Sequence, residues 1–323
     1  MKAFLFCALF LLVSVSRSEG VQIDTILAEV KATDRTSITK AEDALVKLGK
    51  AKIGRLKSAL AKADRMQKVA LGGAILRLSW GMNPQEKLNT WLTKNGNPSA
   101  FPELLTENAL LDVAPNCAFY SLHFAEWPVM RMGPPPFKSR NIIAVPRTGD
   151  VKLFTDPRKL ADLFGTQVGS ITKQEMPMVT AAWLRLSAEF SQDGYFAFRY
   201  PMDQIRVHSG TVGFVAVGKA TVDPKGGDKG EIVATLNFIP NRNRELDLKG
   251  ITEKRTVQAG VRPICQALLL LDPNPIVRRM AERDLLVMGP IIKPYLDERR
   301  NEASPELQEA IDRIWQRILR GER

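Results

Sequence analysis

The chain holds three cysteines and two histidines, the residue types from which thiol catalysis and zinc binding are built. Cys117 and His123 stand six residues apart in what reads as one strand. At 3.3 Å per residue that separates them by about 20 Å, far beyond the reach of a base for its nucleophile. Cys117 with His208 remains open as a pair, but no third residue is placed to orient it, so a hydrolase is the remotest class. Two scattered histidines without neighbouring ligands do not make a zinc site. Ser170-Ile171-Thr172-Lys173 fits the S-x-x-K of penicillin-binding enzymes, and Arg147-Thr148-Gly149 is close to K-T-G. The order is wrong and S-D-N is missing. The same string recurs at Ser37-Ile38-Thr39-Lys40, where serine reads as a helix cap. Asp223, Asp228 and Glu231 surround a glycine-rich loop that lacks the EF-hand order and reads as a solvated hairpin tip. No phosphate-cradling loop or dinucleotide fingerprint is present. No catalytic residue, metal ligand or cofactor is therefore assigned.

Two features keep binding in view. Phe119, Tyr120, Phe124, Trp127 and Phe137 cluster on either side of Met132-Gly133-Pro134-Pro135-Pro136. They can line an apolar pocket, present a surface to a partner, or simply fill a sheet's core. Cys117 and Cys265 are the two cysteines beyond the N-terminal segment. In an oxidising compartment they can form one disulfide, or each can be a buried thiol, since sequence does not supply the Cα separation that a bridge needs.

The elements that must position these residues fall into three regions. From Val21 to Leu111 the apolar spacing is helical, including Phe101–Leu111. From Val113 the pattern alternates. Strands are expected at Ala118–Phe124, at Asn141–Val145 with Val151–Phe154 across a turn, and then in series at Tyr195–Tyr200, Ile205–His208, Phe214–Val222, Glu231–Phe238, Leu246–Leu248 and Glu253–Val257. Helices are expected after Asp156-Pro157, ending at Gly165, and over Lys173–Phe190, with Val179, Ala182, Trp183, Leu186 and Phe190 on one face. One long helix followed by a run of antiparallel strands is an α+β pattern, the helix lying across one face of a curved sheet. In element order alone this is similar to cystatin-like and NTF2-like folds. From Val261 the chain returns to helix.

The last block, Pro275–Leu319, reads as helix, turn, helix, turn, helix. Asn274 or Asp272 caps its start, Gly289-Pro290 ends the first helix and Ser304-Pro305-Glu306 opens the last. An echo lies 240 residues upstream without a gap. Ala41-Glu42 matches Ala281-Glu282, Leu45 matches Leu285, Leu48-Gly49 matches Met288-Gly289, Leu56 matches Leu296 and Ala70 matches Ala310. The pattern Ala281-x3-Leu285-x2-Met288-Gly289-x4-Pro294-x-Leu296 resembles the HEAT-type helical repeat. Gly54 departs from it where the later copy has Pro294. The resemblance covers about forty residues at each end and implies helical hairpins that bury their apolar faces on neighbours.

At the start, Met1-Lys2 precedes the apolar run Ala3–Val13 and the small residues around Ser16-Arg17-Ser18. This is the pattern of a secretory signal peptide, too short to span a bilayer comfortably. Cys7 falls inside the run with no lipobox before it. Removal of residues 1–18 takes Lys2 and Arg17 and lowers the formal charge from +11 to +9. Acidic residues interleave with the basic ones and no Lys/Arg tract forms a nucleic-acid arm. The expected organisation is a signal peptide at 1–18, an N-terminal helical region at 19–112, a central α+β domain at 113–258 and a HEAT-like region at 259–323. The expected function is a secreted or periplasmic, non-enzymatic interaction protein that binds another protein or an anionic envelope component, with no nucleic acid and no transmembrane segment after cleavage. The alternative is a small-ligand-binding protein with an apolar pocket in the central domain.

Overall fold

A computed structural model describes residues 22–30, 35–95, 100–125, 137–191, 197–223, 229–258 and 267–322. The expected signal peptide, the proline-rich loop, Trp127, Asp228 and Cys265 lie outside them. The chain divides into two units, Met1–Asn83 and Pro84–Arg323. Among the described residues no helix is long and apolar enough to cross a membrane.

The first unit is helical: α1 (22–28), α2 (Arg35–Lys47), α3 (Ile53–Leu60) and α4 (Arg65–Trp80). Asp64 and Gln67 form a reciprocal capping box at the start of α4, with bonds of 2.9 and 3.2 Å, and Gly81 ends it in the left-handed region at φ 72°. α4 is buried nearly all round, from Ala70 through Ile75 to Trp80, which marks it as this unit's central helix. Arg77 ties it to Glu42 and Asp43 of α2 at 3.0 and 2.6 Å.

The second unit is α+β. It opens with α5 (Pro84–Asn95) and continues through β1 (Ala100–Leu104), α6 (Asn108–Val113), β2 (Cys117–Ala125), β3 (Phe137–Pro146), β4 (Lys152–Phe154), α7 (Pro157–Gln167) and α8 (Met176–Glu189). Strands β5 (Ala197–Arg199), β6 (Arg206–Ser209), β7 (Phe214–Asp223), β8 (Glu231–Pro240) and β9 (Leu246–Arg255) follow. Residues 101–111 are not one helix. Ala100–Leu104 is an edge strand paired to β2, from Ala100 opposite Phe124 to Leu104 opposite Tyr120. Pro102 accounts for the edge position, since it has no N–H to give a second neighbour.

The strands make two antiparallel sheets where one was expected: β1-β2-β3-β4, and β5-β7-β8-β9 with β6 also on β7. β9 is continuous where two short strands were expected. Gly250 sits inside it, opposite Asn237 at a bulge, which is how a strand tolerates glycine. α7 runs through Gly165 to Gln167. α8 explains why there are two sheets. Its apolar residues are not confined to one face, and Val179, Ala181, Ala182, Trp183, Leu184, Leu186 and Ala188 are all buried. A helix buried all round needs a layer on each side, and α8 packs on β7 and β8 of one sheet and on β3 of the other. Gly218 of β7 allows that approach: a Cβ there would sit 2.7 Å from Thr180 Cγ2 and 2.9 Å from Leu184 Cδ1.

The chain closes with a 3-10 helix (Ala267–Leu271), α9 (Pro275–Met288), α10 (Lys293–Asn301) and α11 (Pro305–Leu319). Leu285, Leu296, Ile311 and Ile314 share their own buried cluster with Ala267 and Leu270. Asn274 caps α9 through Ile276 N at 2.9 Å, and Ser304 caps α11 through Leu307 N at 3.4 Å.

Candidate functional site

The densest buried polar cluster described lies at the C-terminal end of α8. Arg185 and Glu189 are one turn apart, hence on one face, and are ion-paired. Arg185 also pairs with Glu107, the residue that precedes α6. Ser121 of β2 donates its hydroxyl to Glu189 Oε2 at 2.8 Å. On the side of the second sheet, Glu253 and Arg255 stand two apart on β9 and so share a face. Ser187 Oγ donates to Glu253 Oε2 at 2.6 Å, and Arg255 Nη2 donates to Glu253 Oε1 at 2.7 Å, to Ser187 Oγ at 2.8 Å and to Ser187 O at 3.2 Å. Arg255 also bonds Ser191.

Each charge has a physical job. The last carbonyls of a helix lack partners and carry its negative end. Arg255 places its positive charge there and adds a bond to Ser187 O, which also accepts from Phe190 N. Glu189 is unfavourable at that end and is nearly fully buried, so it needs Arg185. Burial opposes charge on Arg185, yet Glu107, Glu189 and Tyr200 outweigh it and hold its pKa well above the ordinary value. Glu107 Oε2 is buried with no hydrogen-bond partner among the described residues. The cluster therefore joins α8 to β2, α6 and β9. Glu189 accepts from Ser121 while it is ion-paired to Arg185, so this contact belongs to the same network. Arg185, Glu189, Glu107, Glu253 and Arg255 carry no motif. The signal in the sequence is a pair of charges four apart in a helix that is otherwise apolar.

The residues singled out by type are dispersed. Cys117 is a free, buried thiol, pushed up to about 12 by desolvation against a small opposing effect of Lys87. It lies on the first sheet, whereas His208 is exposed on β6 of the second. His123 pairs in register with Phe101 and Ser139. Phe119 and Tyr120 are each 1% exposed and belong to the core. Phe124 and Phe137 lie near the far end of the β2–β3 ladder, Phe124 opposite Lys138 and Phe137 opposite Ala125. Ser170 and Lys173 have separate partners: the serine bonds Asp247 and Asn241, each at 2.9 Å, and the lysine sits 4.6 Å from the centre of the Phe214 ring. Asp223 pairs with Arg199 and Glu231 with Lys219. Among the described residues no group of three or more His, Cys, Asp or Glu gathers around a point.

One depression of about 280 Å3 opens between α10 and α11, over Leu296 and Ile311 and beside Trp315. Its charges are matched in place. Lys293 pairs with Asp297 and lies 5.3 Å from the Trp315 ring centre, and Arg300 holds Asp312 through two bonds of 2.8 and 3.0 Å. Comparison with known proteins gives no match to a family model, to a curated protein or to a solved structure.

Proposed function

We propose that this is a secreted or periplasmic, non-enzymatic interaction protein whose helical ends, two copies of one HEAT-like unit, present surfaces to a protein or envelope partner. The observation that carries the reading is the agreement of the two copies at a spacing of 240 residues. α2, α3 and α4 start at Arg35, Ile53 and Arg65, and α9, α10 and α11 start at Pro275, Lys293 and Pro305. Gly49 and Gly289 both follow a helix at positive φ, 84° and 66°, and Gly81 and Gly321 both have left-handed φ, 72° and 74°. Arg77 to Glu42 at 3.0 Å has its counterpart in Arg317 to Glu282 at 2.9 Å. An ion pair between the first and third helices that recurs at the same spacing is hard to obtain by chance. Stacked units of this kind present extended concave surfaces on which partners bind.

Pull-down from the native envelope with the exported chain, with and without residues 267–323, tests the reading. Recovery of a defined partner that depends on the terminal block supports it, and equal recovery by both forms removes the block from the argument. The alternative is a small-ligand-binding protein with an apolar pocket in the central domain; of the aromatic residues named for it, Phe119 and Tyr120 are buried.

A further inference from the structure

The two copies act as controls for one another at the depression between α10 and α11. Its floor is common to both. Leu296 and Ile311 stand where the first copy has Leu56 and Leu71, and all four are buried. Its rim differs. Lys293, Arg300, Asp312 and Trp315 take the places of Ile53, Leu60, Gly72 and Ile75. Asp297 alone takes the place of a charged residue, Lys57. Leu60, Gly72 and Ile75 are buried in their unit, whereas the side chains of Arg300 and Asp312 are 43% and 51% exposed. Four apolar or small positions thus differ together around an unchanged floor. A solvated end of a helical stack needs a polar outer face. It needs neither a tryptophan nor a hollow enclosed by the polar residues.

What the rim can bind follows from its spare hydrogen-bonding capacity. Lys293 pairs with Asp297, and Arg300 holds Asp312 through Nε and Nη2. An ammonium has three N–H groups, a guanidinium five and a carboxylate about four lone-pair sites, so donors and acceptors are both left over. The four charges cancel. An anion would have to break one of these pairs and would face the other carboxylate, and a cation meets the converse difficulty. A hydroxyl meets neither, because it accepts from an N–H and donates to a carboxylate at once. Trp315 adds an apolar face. Lys293 lies 5.3 Å from the centre of that ring, but an exposed cation–π contact is weak, so the ammonium can turn to a hydroxyl instead. An extended peptide needs a long groove with alternating pockets. At about 280 Å3 the hollow is compact and lies just below the range that holds drug-sized ligands.

We infer that this hollow binds a neutral sugar residue, one ring lying with its C–H face on Trp315 and its hydroxyls bridging the Asp312–Arg300 and Lys293–Asp297 pairs. This rests on the terminal block being a recognition surface and names the chemistry of its envelope partner, an uncharged glycan. Isothermal titration calorimetry of the exported chain tests it with two neutral probes at up to about 10 mM: chitotetraose, which carries acetamido groups, and maltotetraose, which carries hydroxyls alone. At least one should bind with Kd on the order of 1 mM or tighter. Raising salt from about 0.05 to about 0.5 M should change little, because the ligand has no charge to screen. Asp312→Ala should weaken binding about fivefold or more while circular dichroism and Tm stay as in the parent, since its side chain is exposed. Trp315→Ala should abolish binding, and Trp315→Phe, which keeps an aromatic face, should retain part of it. Asp223→Ala, on the second sheet, should change nothing. A chain that binds neither probe overturns the inference, even if it captures a protein through residues 267–323, which would leave the broader reading standing. Binding that survives both Asp312→Ala and Trp315→Ala overturns it as well, because the sugar then sits elsewhere.

Discussion

A thiol that is 2% exposed and pushed up to about 12 cannot present a thiolate at neutral pH. Cys117 should therefore resist iodoacetamide in the folded chain at pH 8 and react once urea unfolds it, a difference that peptide mass spectrometry reads directly. Rapid labelling of the native protein would put a reactive cysteine back on the first sheet. Its residue type was legible in the sequence and its burial was not, because alternation over Cys117–Ala125 does not say which sheet face a second layer covers. Asp284 makes a complementary case. Burial holds its carboxyl above the ordinary 3.8, and the neighbouring Arg283 only partly offsets this. A folded-state pKa raised above the unfolded value means the folded chain binds more protons in the window that opens at 3.8. Stability then falls as pH rises through that window, and the cost persists at pH 7. Asp284→Asn should raise Tm by roughly 2–4 °C at pH 7 and make no difference near pH 3. Ala44 occupies the matching position in the first copy, so Asp284 is not a requirement of the shared frame.

At the scale of elements, α8 decides the architecture. The sequence legibly marks a long apolar helix over Lys173–Phe190 and a series of strands. It does not mark that strands on both sides of the helix in sequence form separate sheets on both sides of it in space. That followed from residues such as Ala181, Leu184 and Ala188, buried although they lie off the expected face. Two variants test this arrangement by urea denaturation. Gly218→Val places side-chain atoms where Thr180 and Leu184 already stand, and overpacking of this kind costs about 1–3 kcal/mol. Arg185→Ala leaves Glu107 and Glu189 facing each other without their cation, and loss of one partner from a buried pair costs about 3–5 kcal/mol. A double change to Arg185→Met with Glu189→Met should recover part of that loss, because two of the three charges are then removed together and only Glu107 is left without its cation. If it recovers none, Glu189 has a role beyond joining α8 to β2.

For the molecule as a whole, the correspondence of small residues and glycines at a spacing of 240 was the most legible feature, since it needs no knowledge of tertiary contacts. What could not be read was the cross-helix pair, because Arg77 and Arg317 are separated from Glu42 and Glu282 by 35 residues each and share no local pattern. The glycines offer the sharpest test that the ends are one unit used twice. Gly49 has φ 84° and ψ 165°, and Gly289 has φ 66° and ψ −155°. Both fall in a region that only glycine enters readily, where another residue costs on the order of 1–3 kcal/mol. An added Cβ at Gly49 would meet nothing within 4 Å, so the cost there is one of backbone conformation and not of crowding. Gly49→Ala and Gly289→Ala should each destabilise the chain by that order, while Gly54→Ala, at the position where the copies differ and where φ is not positive, should be neutral or slightly stabilising within a helix. Thermal denaturation of the three variants checks this. A large loss at one of the two matched glycines and none at the other would mean that the helices agree in position without sharing the turn that makes them a unit.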